Sequence, residues 1–415
     1  MTPTPDPATQ DLLDRIDRFA ADELAPLERE HPQFFDHRRE FARTDLDHGG
    51  VPAREWEELL TEMTRRADRA GLYRFALPAA LGGADGSDLA MAQVREHLAA
   101  RPVGLHSDLQ SETSCVGNFP LVELLWRAGT AEQREWIEPL VRREVSGGFG
   151  LTEPGHGSAA TWMGTRAVRR DGDWVIDGAK RFNTGMHRPG IDVVFARTGG
   201  DPGDARGITA FVVPTDTPGF RVERHAWTMA MPTDHSDVTL DGVRVPDSAV
   251  LGEPGAGLDL ALLFVHENRI RQAASSLGAA RFCIDAAVAY AREREVFGSA
   301  LASNQAVQWP LVELHTEATL VRALVRATAA AMDADGKVAP SEQVSMCNLR
   351  ANRLACEAAD RAMQVHGGLG YTRDVPFEHI YRHHRRYRIT EGTEEIQVRT
   401  IARELFGFGR PAGTS

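Results

Sequence analysis

Near the end of the chain stand Arg388, Ile389, Thr390, Glu391, Gly392, Thr393, Glu394, Glu395, Ile396 and Gln397. Thr393 has the character of a helix N-cap, and Glu394 and Glu395 place acid in the first turn, where the helix dipole favours it. An apolar-periodic helix follows through Ile396, Ile401, Leu405 and Phe406. Glu391-Gly392 therefore lies on the loop that feeds this helix. Gly392 has no side chain, so backbone and ligand can approach closely there. A carboxylate in such a place can act as a proton acceptor if water is excluded from it. Taken alone, a carboxylate beside a glycine is ordinarily a solvated loop residue. Its weight depends on the other chemistry-bearing stretches.

Two of these are close together. Phe149-Gly150-Leu151-Thr152-Glu153-Pro154-Gly155-His156-Gly157-Ser158 could lay backbone amides and the hydroxyls of Thr152 and Ser158 against a polar, planar ligand. Stretches of this composition are commonly plain loops. Lys180-Arg181-Phe182-Asn183-Thr184-Gly185 offers an aromatic and a hydroxyl at a strand end, a suitable lining for a flavin ring, although a core Phe is the commoner case. Arg382-His383-His384-Arg385-Arg386 could suggest metal or phosphate binding. Adjacent histidines on a helix point in different directions, so a partly solvated basic face is expected instead.

The elements that must position these residues fall into three blocks. From about Thr9 to Gly148 the pattern is helical. Leu12, Leu13, Ile16 and Phe19 share one face of a helix expected to stop before Pro26. Pro52 is expected to open a second helix, closed by Gly71. Gly82-Gly83 and Gly86 mark a loop before a helix from about Asp88 to Ala100. Thr130-Ala131-Glu132-Gln133 has the form of a capping box, leading into a helix through Trp136, Ile137 and Leu140 that Gly147-Gly148 ends. The character then changes. Arg166 to Gly178 reads as strand–turn–strand around Asp171-Gly172, with further strands at Ile191–Arg197, Ile208–Pro214 and Asp237–Val245. From about Leu258 helices return, one to Glu295, one from Asn304 into Asp333, and one from Ser341 to His366, stopped by Gly367-Gly368. With the last short helix they suggest a bundle. The fold class expected is α+β multidomain: an N-terminal α-helical domain (1–148), a middle β-barrel or sandwich domain (149–257) and a C-terminal four-helix bundle (258–415).

Composition narrows the functional classes. Acidic residues number 59 against 47 basic, a formal charge of −12, which argues against general nucleic-acid binding and against anionic membrane surfaces. No apolar run approaches the ~18 residues of a membrane span. Met1 to Gln10 shows neither a basic stretch nor an apolar core of a signal peptide. Cys115, Cys283, Cys347 and Cys356 form no C-x-x-C pair and read as buried free thiols in a reducing, cytoplasmic setting.

Five motifs then fall in order. Leu151-Thr152-Glu153-Pro154 with Gly157-Ser158, Phe182-x-Thr184, Arg294-Glu295-Val296-Phe297-Gly298, Gln364-Val365-His366-Gly367-Gly368-Leu369-Gly370-Tyr371 and Glu391-Gly392-Thr393 have the order and approximate spacing of the acyl-CoA dehydrogenase family, which the chain resembles over nearly its whole length. The resemblance implies an FAD-dependent enzyme that converts an acyl-CoA thioester to the trans-2-enoyl-CoA, with Glu391 as base and hydride transfer to flavin N5. It implies cofactor contacts at Phe149, Leu151, Thr152 and Ser158 and at Phe182, Asn183 and Thr184. Further contacts are implied at Arg294, Phe297, Gln305, Gln364, Gly367, Gly368, Thr393 and Glu395. Ser158, Arg269 and Gly392 match substrate-contacting positions. A homotetramer, an electron-transfer flavoprotein as electron acceptor and a place in fatty acid metabolism are implied as well, with no metal, nucleic acid or membrane partner.

The chain departs from the family pattern at three places. Phe182 stands where a tryptophan is usual, Ala159 where an aspartate follows Gly-Ser, and His383 in place of the aspartate of an Arg-Asp pair. A minority of the family carries its base on the long helix, at the position of Asn268, which cannot serve; Glu267, one residue earlier, leaves the helix about 100° away. A flavin monooxygenase of this fold would generally lack the Glu391 carboxylate. An acyl-CoA oxidase would keep it and pass electrons to oxygen, and a non-catalytic fold relative would need neither.

Overall fold

In the computed structural model the described residues are 5–36, 38–39, 41–338 and 340–408. The helices, in chain order, are α1 (Pro7–Phe19), α2 (Ala25–Glu30), α3 (Arg54–Arg69), α4 (Asp88–Ala99), α5 (Pro120–Ala128), α6 (Ala131–Arg134), α7 (Ile137–Val141), α8 (Gly257–Glu293), α9 (Gln305–Asp335), α10 (Ser341–His366), α11 (Phe377–Tyr387) and α12 (Glu394–Leu405). The strands are β1 (Thr44–Asp45), β2 (Val51–Pro52), β3 (Ser146–Gly150), β4 (Arg166–Arg170), β5 (Asp173–Thr184), β6 (Gly190–Arg197), β7 (Ile208–Pro214), β8 (Phe220–His225), β9 (His235–Val245), β10 (Val250–Leu251), β11 (Glu295–Val296) and β12 (Ser299–Ala300). Helices, then strands, then helices follow one another as composition leads one to expect.

The chain packs as two compact units. The first combines Met1–Glu40, Arg66–Gly117 and His266–Ser415, and the second combines Phe41–Arg65 and Asn118–Val265. In the first unit, α9 and α10 and the latter part of α8 bury small residues against one another, among them Ala273, Ala274, Ala280, Ala351, Ala358 and Ala359. Side chains this small let long helices approach closely along their whole length. In the second unit the sheet order is β10-β7-β6-β4-β5-β9-β8, with β3 added in parallel to β6. Trp174, Ile176, Val194, Phe211, Val238 and Leu240 form its core. The Asp171-Gly172 turn between β4 and β5 has both residues at positive φ, 54° and 91°, as a tight hairpin requires.

Several local expectations need correction. The first helix does not stop before Pro26: a π-helical turn at Ala20–Leu24 joins α1 to α2, and Pro26 sits in the first turn of α2, where its missing N–H costs least. Pro52 does not open a helix but pairs with Thr44 across the β1–β2 ribbon, and α3 begins at Arg54. Gly147 and Gly148 lie inside β3 rather than ending a helix, because the segment pairs in parallel with β6, where a Cβ on Gly148 would meet the Asp192 carboxylate at 2.7 Å. The strand β8 carries mostly exposed residues and left no alternation to read. His383 and His384 are buried against Tyr387, so the basic stretch of α11 is not a solvated face.

Candidate active site

The Glu391 loop is built by the elements on either side of it. Glu391 has φ 55° and Gly392 φ 92°, so the chain turns through two left-handed residues before α12. A non-glycine residue held there is strained and must be fixed from outside. Arg269, buried on α8, donates from Nε to the Glu391 carbonyl at 2.8 Å. Gln397, on the first turns of α12, donates from Nε2 to the Gly392 carbonyl at 2.8 Å and to that of Glu391 at 3.3 Å. Glu394 is clamped by Arg388 and, at 2.9 Å, by Arg353. Thr393 occupies the N-cap position, but its side chain makes no capping bond to the helix backbone. Among the described residues the Glu391 and Gly392 amides donate to no other group.

The carboxyl of Glu391 accepts one long bond, 3.4 Å, from Asn268 Nδ2. Burial pushes its pKa up to about 7, and the charge of Glu112 adds to this, while Arg269 and Asn268 pull the other way. A carboxyl at that value can accept a proton near neutral pH. Glu112 is itself placed by Arg386, whose Nη2 lies 2.8 Å from its carboxylate and whose Nη1 donates to the Gln110 carbonyl. Glu267 points elsewhere. It is paired with Arg271 and, at 3.1 Å, with Lys337, which also holds Asp88.

In the sheet unit the glycine-rich loop hangs from a buried ion pair. Glu153 accepts from Lys180 Nζ at 2.9 Å and from the amides of Gly164 and Thr165, and both side chains are buried. The Thr152 carbonyl accepts from the Arg181 amide. These bonds fix the start of the loop, whereas Gly155 and Gly157 have open space about them and Ser158 is exposed. Phe149 is not free to face a ligand with its ring, which stacks on Phe264 at 3.9 Å. Asn183 turns inward to Asp192, a buried carboxyl raised to about 7 chiefly by that burial. Phe182 turns outward. It stands at φ 61° where the β5–β9 register shifts, and 52% of it is exposed. The bulge aims a large apolar ring away from the core. Thr184 meets His235 at 3.3 Å.

The other expected site residues gather at the far end of α8. Arg294 and the fully exposed Phe297 lie on the β11–β12 hairpin, and Gln305 begins α9 beyond it. The exposed Gln364, Gly367 and Gly368 end α10, where His366 stacks on Tyr290 at 4.2 Å. From Arg269 to Arg294 is about 38 Å along a helix. One chain therefore keeps two groups of these residues well apart. Glu395 is exposed on α12, with the Thr393 side chain lowering its pKa. Sequence reasoning missed Gln397, whose bonds run from its side chain to the loop backbone, and Glu112 and the Glu153–Lys180 pair, whose partners are distant in the chain. Among the described residues no cluster of metal-ligating side chains occurs.

The helical unit holds at Glu391 a carboxyl raised to about 7, a group able to accept a proton near neutral pH, on a chain whose helices are interrupted by a sheet. The chain belongs to the acyl-CoA dehydrogenase family and is an oxidoreductase acting on acyl-CoA: residues 6–144, 148–243 and 255–406 match the family's N-terminal, middle and C-terminal domains. It is 33% identical over 375 residues to the 3-(aryl)acrylate reductase of Clostridium sporogenes, across 88% of this chain and 96% of that one. It is 30% identical over 348 residues to the CarC subunit of the caffeyl-CoA reductase–Etf complex of Acetobacterium woodii, across 83% and 89%. Its fold superposes on the glutaryl-CoA dehydrogenase of Mycobacterium smegmatis in complex with FADH2 with a TM-score of 0.78 at 27% identity, covering 97% of this chain and 95% of that one.

Proposed function

We propose that the chain catalyses the FAD-dependent α,β-dehydrogenation of an acyl-CoA thioester to the trans-2-enoyl-CoA. The observation that carries this reading is the Glu391 carboxyl, raised to about 7 and held on a loop whose amides are unengaged. The Cα proton passes to the Glu391 carboxylate, and the negative charge that develops on the thioester oxygen has the amides of Glu391 and Gly392 to receive it. Arg269 and Gln397 hold those amides in place through the carbonyls behind them. The β-hydrogen leaves as hydride, so one proton and one hydride together leave a double bond. Bound FAD supplies the hydride acceptor.

The residues present suit that cofactor. Phe182 presents a flat ring, the glycine-rich loop presents unobstructed backbone with Thr152 and Ser158, and a Cβ at Gly367 or Gly368 would meet nothing within 4 Å. Phe149 and Asn183, whose side chains are engaged in the core, would contribute backbone groups. Leu151 and Thr184 complete this part, with Thr393 and Glu395 on the α12 side. Arg294, Phe297, Gln305, Gln364, Gly367 and Gly368 gather at the end of α8 remote from Arg269, and we assign them to a neighbouring copy's FAD within a homotetramer. Gly392 and Arg269, with Ser158, would meet the substrate. The segments 1–148, 149–257 and 258–415 act as three modules of this enzyme.

The relative that works within an Etf complex supports an electron-transfer flavoprotein as the acceptor here. Four buried thiols and the absence, among the described residues, of a helix long and apolar enough to cross a membrane suit a cytoplasmic enzyme of acyl-chain metabolism. Purified protein should be yellow, with one FAD per chain. Anaerobic addition of acyl-CoAs of graded length should bleach the flavin, and electron-transfer flavoprotein should restore it faster than oxygen does. Faster restoration by oxygen would make the protein an oxidase, and a chain that binds no flavin after reconstitution would refute the reading.

A further inference from the structure

α4 lies beside α8 in the helical unit. Lys337 joins Asp88 at 3.3 Å to Glu267 at 3.1 Å, and a Cβ on Gly278 would meet the Glu96 carbonyl at 2.3 Å. Between these points two packed helices should meet through apolar side chains. Ala92, Ile270, Ala273, Ala274 and Leu277 do so. Arg95, Arg271 and Gln272 are buried there as well, each 6% exposed or less.

Arg271 is paired with Glu267, but its Nη1 is buried without a partner, as is Gln272 Oε1. Arg95 has no carboxylate partner among the described residues. Its Nη2 donates to the Val116 carbonyl at 2.8 Å, and its Nε is buried and unpartnered. Burial and the nearby charge of Arg271 press its pKa down to about 10. A buried guanidinium without a counter-ion is among the least favourable groups a fold can carry, and a methionine or leucine would pack in its place. Glu112, whose charge acts on both Arg95 and Glu391, is already held by Arg386 at 2.8 Å. The unpaired cation and the base thus share a neighbour.

We propose that the substrate's acyl chain carries a carboxylate, and that Arg95, with the spare donor of Arg271, binds it. The proposal rests on the acyl-CoA reading of Glu391. A carboxylate offers two oxygens to the unpartnered Arg95 Nε and Arg271 Nη1, and supplies the counter-ion that Arg95 lacks among the described residues. The acyl end is thereby recognised by charge rather than by apolar bulk.

The test uses the flavin-loaded enzyme and pairs of acyl-CoAs of equal chain length, one methyl-ended and one ω-carboxyl-ended. Both members carry the same CoA, so the ratio of their kcat/KM values for flavin bleaching reads the far end of the acyl chain. The wild type should favour the carboxyl member by at least ~10-fold, the effect of one hydrogen bond to a charged group. Arg95→Met should bring that ratio to about one or below, and Arg95→Lys should keep part of it. Arg95→Met should also unfold no earlier than the wild type, which a guanidinium with a purely structural role would not permit. A wild type that prefers methyl-ended or uncharged polar chains overturns the proposal, as does an unchanged ratio in Arg95→Met. If no acyl-CoA of either series bleaches the flavin, the acyl-CoA reading itself falls and takes this proposal with it.

Discussion

Arg269 binds the backbone of Glu391, not its carboxylate: Nε reaches the Glu391 carbonyl at 2.8 Å, while the carboxyl is left with one 3.4 Å bond from Asn268. A guanidinium paired directly with the carboxylate would have held its pKa down. Turned to the carbonyl, it fixes the loop and leaves the carboxyl near neutrality.

The first prediction is the pH dependence that follows. Only deprotonated Glu391 can take the proton, so kcat/KM for flavin reduction should rise ~10-fold per pH unit below the group's pKa and level off above it, with the inflection at about 7. Glu112→Gln removes a like charge and should move the inflection downward. Stability runs the opposite way. The folded pKa lies above the ordinary 4.5, so this group's contribution is full below that value and is lost as pH rises through about 7. Glu391→Gln should therefore gain on the wild type in melting temperature between acid and alkaline buffer. A pH-independent rate, or a wild type that gains on Glu391→Gln as pH rises, would contradict this.

Gly392 tests the loop geometry. Its φ is 92°, and an added Cβ would lie 3.0 Å from Arg269 Nη2 and 3.1 Å from Ile396. Gly392→Ala should cost on the order of 1–3 kcal/mol in stability and slow flavin reduction, since the base moves with the loop. Gly155→Ala, with nothing within 4 Å and no positive φ, should leave thermal stability unchanged. Equal melting temperatures for the two variants would show that the left-handed turn is not required.

The Glu153–Lys180 pair tests the flavin-side loop. Glu153→Gln leaves the Lys180 ammonium buried without its paired carboxylate, beside the Leu151 carbonyl at 3.4 Å and the weaker influence of Asp192. Removing one member of a buried pair typically costs about 3–5 kcal/mol. Chemical denaturation should record that loss together with a lower flavin content after gel filtration. Wild-type flavin retention in Glu153→Gln would mean that the loop is held by other groups.

Much of this was legible from local pattern. The apolar and small residues of α10 place its ends at Ser341 and His366, as read, and Asp171-Gly172 marks the hairpin where it occurs. Glycine beside glutamate marked the left-handed loop at Glu391 and Gly392. What eluded sequence reasoning was set by pairing and packing that no local pattern of residue types announces. Pro52 was drawn into a ribbon by Thr44, and His383 and His384 were buried by packing that no hydrophobic period announces. Gln397 looks like any polar helix residue until the Gly392 carbonyl stands 2.8 Å from it. Arg95 and Arg271 break the apolar pattern of packed helices, and that break was the available signal.

The central claim is that Glu391 is the base, and the most direct measurement is single-turnover flavin bleaching in two variants mixed with excess acyl-CoA. Glu267 is committed to Arg271 and Lys337, so Glu267→Gln should bleach the flavin at a rate close to the wild type, provided that it folds and retains flavin. Glu391→Gln should keep its yellow colour and bind acyl-CoA, yet bleach at least ~100-fold more slowly, the lower end of what a positioned base contributes. Rapid bleaching in Glu391→Gln, with none in a folded, flavin-loaded Glu267→Gln, would put the base on α8 and contradict the account.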